Sequence, residues 1–341
     1  MSTEPITPPA DAPLIAVTDL VTHFPVRRHL ADTLGRRPRR LVRAVDGVTF
    51  AMHAGEFVAI VGESGCGKTT TVHTMLGMVS ATSGRVIFDG HDITHLKPRA
   101  IRPFRRRIQM IYQDPYESLD PRFRVRQVIE EPMLIHGVGD SKAVRRNLVF
   151  ESLERAGLTP PELYTERFPH ELSGGQRQRV SIAASLVLDP HLLVADEPVS
   201  MLDVSVRAGV LSLLDGLRSE GSMGVLMITH DLSTAAHFAD RIEVMYLGRI
   251  VEEGASKEVV EHPLHPYTKA LLSVVPKRDP RRQTRPQILQ GETPNPVNIP
   301  SGCRFHPRCP VAVAECRETD PSLRPERDGT SPLHTAACVL V

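Results

Sequence analysis

Eight residues constrain this chain more than any other feature. Gly62-Glu-Ser-Gly-Cys-Gly-Lys68-Thr69 follows the short apolar run Phe57 to Val61 and leads into Thr69 to Val79, which has helical character. Glycines at such a strand-to-helix turn let successive backbone N–H groups face one point, where the helix N-terminus adds partial positive charge. That arrangement suits phosphate. Gly62, Ser64, Gly65 and Gly67 would shape the cradle, and Lys68 would bridge β- and γ-phosphate oxygens. Thr69 would ligate Mg²⁺, with Thr70 beside it as a further nucleotide-binding residue. Cys66, inside the loop, reads as a small space-filler rather than a nucleophile.

The bulk numbers narrow the setting. At 341 residues and 41% apolar content the chain can build one large domain and one or two smaller ones. Forty-one basic side chains against forty acidic ones leave a net charge of +1, so no global field draws the chain to nucleic acid, and no nucleic-acid partner is expected. No apolar run approaches the roughly 18 residues of a spanning helix. The best candidate, Val180 to Leu188, is short and broken by Ser181 and Ser185. The Pro-rich stretch 1–13 reads as disordered and lacks a secretory pattern, so residence in the cytoplasm is expected. Thiols stay reduced there, and the five cysteines call for an explanation other than disulfides.

Strands are expected at Leu14 to Leu20 and Leu41 to Phe50, separated by a solvated segment carrying Arg27, Arg28, Arg36, Arg37, Arg39, Arg40 and Arg43. A turn-rich Pro115 to Pro121 stretch precedes helices near Val125 to Ile135 and Lys142 to Ala156. Strands return at Leu192 to Ala195 and Val225 to Thr229, with a helix from Val206 to Arg218 between them, the rhythm of a mainly parallel sheet. Arg241 to Glu252 reads as a hairpin turning at Leu247-Gly248. Tyr267 to Val274 reads as a helix, followed by a Pro- and Arg-rich linker, Pro276 to Pro300, whose Lys277, Arg278, Arg281, Arg282 and Arg285 read as a solvated spacer.

Two further segments fit a nucleotide site. The run Leu192-Leu-Val-Ala-Asp196-Glu197 ends in two carboxylates, Asp196 suited to a Mg²⁺ shell and Glu197 to accepting a proton from attacking water. Alone, strand-end acids are usually just solvated. Leu172-Ser173-Gly174-Gly175-Gln176 opens an Ala-rich helix running from about Arg177 to Leu188, and offers a hydroxyl, open backbone N–H groups and a favourable dipole. Its bland alternative is a plain N-cap at Ser173.

The ordered set of phosphate loop, Gln113, Leu172 to Gln176, Asp196-Glu197, Ser200-Met-Leu-Asp203 and His230 resembles the ATP-binding-cassette (ABC) ATPase family over residues 14–255. The resemblance implies an α/β, RecA-like P-loop NTPase fold, an ABC nucleotide-binding domain with an antiparallel β lobe and a helical subdomain inserted over 113–172. Gln113 becomes the residue that touches metal or water and relays the state of the site, and Asp203 lies across a dimer interface. His230 contacts the γ-phosphate and orients Glu197 and its water, and Phe24 stacks on adenine. Singly, each has a plain structural alternative: strand-end Gln113, helix-starting Asp203, loop His230 and core-packing Phe24. Two ATP molecules would sit between two such domains, each held by one protomer's loop and the other's Ser173 to Gln176. Met201 and Val199 depart from the common Ala and Thr without removing a catalytic group.

Gln113 to Pro121, Glu261-His-Pro-Leu-His-Pro-Tyr-Thr268 and Cys303-Arg-Phe-His-Pro-Arg-Cys309-Pro resemble, more narrowly, the oligopeptide and dipeptide importer ATPases, which extend to peptide or nickel uptake. The extension 256–341 then carries Cys303, Cys309, Cys316 and Cys338 in a C-x5-C-x6-C-x21-C pattern. Four thiolates suit Zn²⁺ or a [4Fe–4S] cluster, and free, unmodified cysteines are the third alternative. The resemblance implies the cluster, in a structural role; His306 and His334 are near enough in sequence to be ligands but read as surface residues. Implied partners are a second ABC ATPase subunit, a related chain rather than an identical one, and two membrane permeases at the cytoplasmic face of the membrane. An extracytoplasmic peptide-binding protein would act through those permeases. A soluble ABC ATPase acting on nucleic acid or ribosomes would be expected to show two cassettes or a long coiled coil, and the sequence has neither. A metal-binding regulatory module with a vestigial ATPase conflicts with the presence of Gln113, Glu197 and His230.

Overall fold

The Phe57–Val61 strand is buried at every residue, which explains its unbroken apolar sequence: a parallel strand is covered on both faces and shows no alternation. The computed structural model describes residues 12–26, 40–219, 221–275, 287, 289–326 and 331–341. These form two compact units, one built chiefly from Met52–Phe57 and Leu96–Ile228, the other from Ile15–Ala51, Val58–His95 and Thr229–Val341. The arginines expected between 27 and 39, the linker cations between 277 and 285 and nearly all of the 1–13 stretch lie outside the described residues.

In the unit that carries the phosphate loop, Val58 to Val61 pair in parallel with Arg241 to Val244. Arg241–Tyr246 then turns back antiparallel as Arg249–Ala255. The two-residue turn is Leu247-Gly248, as the sequence suggested, with φ of 45° and 83°. Left-handed conformation at both positions matches the right-handed twist of the flanking strands. Two short C-terminal strands, Thr335–Ala336 and Arg324–Pro325, extend this edge. A separate four-stranded sheet runs in the order Leu41–Met52, Ile15–Pro25, Ser83–Phe88, His91–Asp92.

The other unit holds a parallel sheet of Ile108–Ile111, Leu192–Asp196 and Gly224–Thr229. Its helices include Pro98–Arg107, Val125–His136, Lys142–Arg155, Gly174–Leu186 and Val204–Ser219. Ser141 opens the Lys142–Arg155 helix by accepting from Val144 N–H, and Gly137, at φ 68°, closes the one before it.

Several boundaries differ from the sequence reading for local reasons. The helix after the phosphate loop is Lys68–Met75 and stops short of Val79, because Gly77 turns left-handed at φ 63° and the N–H groups of Met78 and Val79 return to the His73 carbonyl. The first strand runs on to Pro25, carrying Thr22 into the interior, where its hydroxyl meets that of Thr74 at 2.9 Å. The turn-rich Pro115 stretch contains a helical turn, Pro115–Ser118, capped by Asp114. The Pro98–Arg107 helix escaped prediction: its five arginines mask the periodicity, although proline at its first position is a start signal. Among the described residues, no helix is long and apolar enough to cross a membrane.

The Pro266–Ser273 helix is capped by a buried histidine. His265 Nδ1 accepts from the Tyr267 N–H at 3.1 Å, so that nitrogen carries no proton. Burial pushes the His265 pKa down to about 4; Glu252 opposes that shift and Lys269 adds to it. The unfolded chain therefore binds this proton more readily than the folded one. Stability is full at neutral pH and falls as pH drops from about 6.5 towards 4, by about 3 kcal/mol for this group. His265→Asn keeps a cap acceptor that does not titrate, so its melting temperature should fall less between pH 7 and pH 5 than that of the parent. Parallel curves would remove His265 from this role.

Candidate active site

The phosphate loop owes its shape to two close backbone approaches. A Cβ on Gly62 would lie 2.2 Å from the Met245 carbonyl oxygen, and one on Gly67, at φ 110°, would lie 2.1 Å from that of Ala44. Only glycine fits either place. Lys68 is buried, and its Nζ donates to the carbonyls of Gly62 at 2.8 Å and Glu63 at 3.1 Å. Ser64, Gly65 and Thr69 are exposed, and Thr70 is half-buried. Burial pushes the Cys66 thiol up, in keeping with a space-filling role.

The same unit carries Phe24 and His230. Phe24 is 40% exposed near the end of its strand, so the core-packing alternative fails. His230 is exposed and precedes Asp231, which caps the Leu232–Phe238 helix through Ser233 and Thr234.

Gln113, Ser173 to Gln176, Asp196, Glu197 and Asp203 belong to the other unit. Asp196 is buried at the end of the Leu192–Asp196 strand. Glu197 follows in left-handed conformation, φ 44°, its N–H donating to the Ile228 carbonyl at 2.9 Å. Such backbone strain in a non-glycine residue persists only where surroundings enforce it. Gln113 Nε2 donates to Glu197 Oε2 at 3.2 Å, so these two sequence candidates, 84 positions apart, meet. Ser173 and Gln176 cap the Gly174–Leu186 helix reciprocally, at 3.3 and 3.0 Å, which starts it earlier than the expected Arg177. A Cβ on Gly175 would strike Val206 at 2.5 Å. Asp203 is exposed and precedes the Val204–Ser219 helix, its carbonyl accepting from Val206 and Arg207.

The four C-terminal cysteines are all free thiols. Cys303 N–H donates to the Cys316 carbonyl at 2.9 Å. Burial pushes the Cys303 thiol up to about 11 and raises that of Cys309, and the charges of Cys316 and Cys338 raise both further. Chemically, four thiols are donors of the kind that soft metals take. Among the described residues, however, no group of three or more His, Cys, Asp or Glu stands arranged to hold an ion. His334 corrects the sequence reading: it is buried, not on the surface, with Nε2 2.8 Å from Glu252 Oε1. Pairing of the adjacent Thr335–Ala336 strand with Arg249–Ala255 carries it inside. His306 is half-buried, its Nδ1 2.9 Å from the Cys303 carbonyl.

The sequence reading missed what surrounds Glu63. Burial would raise this carboxyl, yet hydrogen bonds from Arg308 and Thr293 hold it below its ordinary range. No local pattern links position 63 to positions more than 200 residues later.

The phosphate loop, with glycine required at Gly62 and Gly67 and Lys68 held at its mouth, has the build of a nucleoside triphosphate cradle. Residues 45–200 match the ABC transporter family, and residues 251–316 match the oligopeptide/dipeptide transporter C-terminal region. The chain is 46% identical over 314 residues to the putative oligopeptide transport ATP-binding protein YkfD of Bacillus subtilis, covering 92% of each chain. It is 44% identical to the oligopeptide transport ATP-binding protein OppF of Salmonella typhimurium, covering 91% of this chain and 92% of that one. A dimeric ATP-binding cassette, MJ0796 bound to ADP and Pi, superposes with a TM-score of 0.62 at 27% identity, over 71% of this chain and 98% of that one. CbiO1 of Clostridium perfringens matches with a TM-score of 0.62 at 28% identity, over 73% and 91%. The chain belongs to the ABC transporter ATP-binding proteins that carry the oligopeptide/dipeptide transporter C-terminal region, and it is an ATPase.

Gly67→Ala should lose nucleotide binding and cost about 2 kcal/mol or more, from the left-handed φ and the Ala44 contact together. Urea unfolding with and without ATP would measure both. Unchanged stability would mean that the Ala44 contact yields freely.

Proposed function

We propose that this chain hydrolyses ATP to energise import of oligopeptides or dipeptides through a membrane ABC transporter, working peripherally at the cytoplasmic face. The observation that carries the reading is the union of the phosphate loop with a C-terminal region of the oligopeptide/dipeptide type in one chain. The ATPase domain spans 14–255, with a helical subdomain over about 113–172, and the extension spans 256–341. A second, related ATPase subunit and two permeases complete the machine, and a peptide-binding protein delivers cargo to the permeases.

In this reading the backbone of Gly62 to Gly67 and Lys68 hold the ATP phosphates, with Thr70 beside them, and Phe24 stacks on adenine. Oxygen donors on Thr69, Gln113 and Asp196 suit Mg²⁺, which when bound neutralises phosphate charge. Glu197 accepts the proton of the water that attacks the γ-phosphorus, while Gln113 holds its carboxylate in place. His230 orients Glu197 and its water. Ser173 to Gln176 and Asp203 serve the ATP held by the opposing subunit. The pairing of two subunits accounts for two anion cradles in one chain.

Cys303, Cys309, Cys316 and Cys338 would hold a [4Fe–4S] cluster, with zinc as the alternative, cross-linking a segment that has little apolar core of its own. Anaerobic purification from the host should bring down permeases, with iron and visible absorption in the preparation. Zinc without iron would reverse the cluster assignment, and absence of permeases would overturn the transport reading. Glu197→Gln should abolish turnover while keeping ATP-driven dimerisation, as followed by size-exclusion chromatography. Retained hydrolysis would assign the base elsewhere.

A further inference from the structure

Glu63, the second residue of the phosphate loop, is held by residues from the chain's C-terminal third. Its Oε2 accepts from Arg308 Nη1 at 2.8 Å and from the Thr293 hydroxyl at 2.7 Å, and its Oε1 accepts from Arg308 Nη2 at 3.1 Å. The Glu63 N–H donates to the Tyr267 hydroxyl at 2.8 Å. Side chain and backbone are therefore pinned from the same quarter.

The holders are themselves fixed. The Arg308 side chain is 8% exposed, and its guanidinium lies 6.0 Å from the ring centroid of Tyr246. Tyr246, Tyr267 and Phe305 pack together with centroids 4.8 to 5.4 Å apart, and all three rings are buried. The Arg308 turn, His306–Arg308, lies between Cys303 and Cys309. At the other end, the Glu63 carbonyl accepts from Lys68 Nζ, so a shift of Glu63 reaches the loop's own cation.

A carboxylate in a loop that must receive a polyanion is a liability, since like charges at close range repel. A bidentate guanidinium, largely out of solvent, removes that repulsion and fixes the geometry far better than an exposed ion pair would. We propose that Arg308, with Thr293 and Tyr267, is a positioning residue for ATP binding: it neutralises Glu63 and holds the phosphate loop in its receptive shape. The proposal rests on the reading of Gly62 to Thr69 as the ATP site.

The test uses the full-length chain, with Mg²⁺ and a fluorescent ATP analogue for affinity and steady-state hydrolysis for kcat and KM. Arg308→Ala should raise Kd and KM about tenfold, the loss of one charged hydrogen-bonded pair, while kcat at saturating ATP stays within about twofold. Arg308→Lys should recover part of the affinity. Adding Glu63→Gln to Arg308→Ala should restore Kd to within about twofold, because the penalty is an unpaired carboxylate. A merely structural Arg308 would not give that rescue. Unchanged Kd in Arg308→Ala, or no rescue by Glu63→Gln, overturns the proposal. Should Arg308→Ala fail to fold, Tyr267→Phe decides, since it keeps the aromatic packing: KM should rise about threefold, and an unchanged KM overturns the proposal. Lys68→Ala separates the two readings. Full ATP affinity in that variant would fell the ATP-site reading itself, whereas its loss beside unaffected Arg308 variants would fell the positioning role alone.

Discussion

Two backbone carbonyls decide whether this chain can hold a phosphate. Those of Met245 and Ala44 press so close to Gly62 and Gly67 that neither position has room for a Cβ. The loop is consequently a cast of its surroundings: the Arg241–Tyr246 strand beneath it and the Leu41–Met52 strand beside it set the path along which its N–H groups turn. Burial of Val58 to Val61 anchors the entrance to that path, and the Lys68–Met75 helix fixes the exit.

Local signals made much of this legible in the sequence. The Phe57–Val61 strand, the Leu247-Gly248 turn and the Lys142 helix start are written in residues adjacent to the structure they specify. Helix ends were harder, since the hydrogen bonds that stop the Lys68–Met75 helix depend on a left-handed Gly77 inside a stretch that still looks helical. His334 was misjudged because strand pairing, not its neighbours in sequence, sends it inward. Family resemblance gave Gln113 and Glu197 separate roles at one nucleotide site, but their contact was not foreseen, as nothing in the spacing of those residues requires it.

The aromatic group of Tyr246, Tyr267 and Phe305 joins three stretches that the sequence presents as separate: a sheet strand, a helix beyond it and the cysteine segment. Arg304 strengthens the same junction, donating to the Leu247 carbonyl at 2.7 Å and pairing with Asp46. Buried contacts of this kind carry more weight than the exposed pairs elsewhere on the chain.

That junction bears on how the protein can be divided. A fragment ended after the Arg249–Ala255 strand would uncover the Tyr246 ring, strip the partner from a loop N–H and leave the Arg249–Ala255 edge without Thr335–Ala336. What looks like an appendage in linear order is part of the foundation, and a shortened cassette would start life with an open, sticky flank.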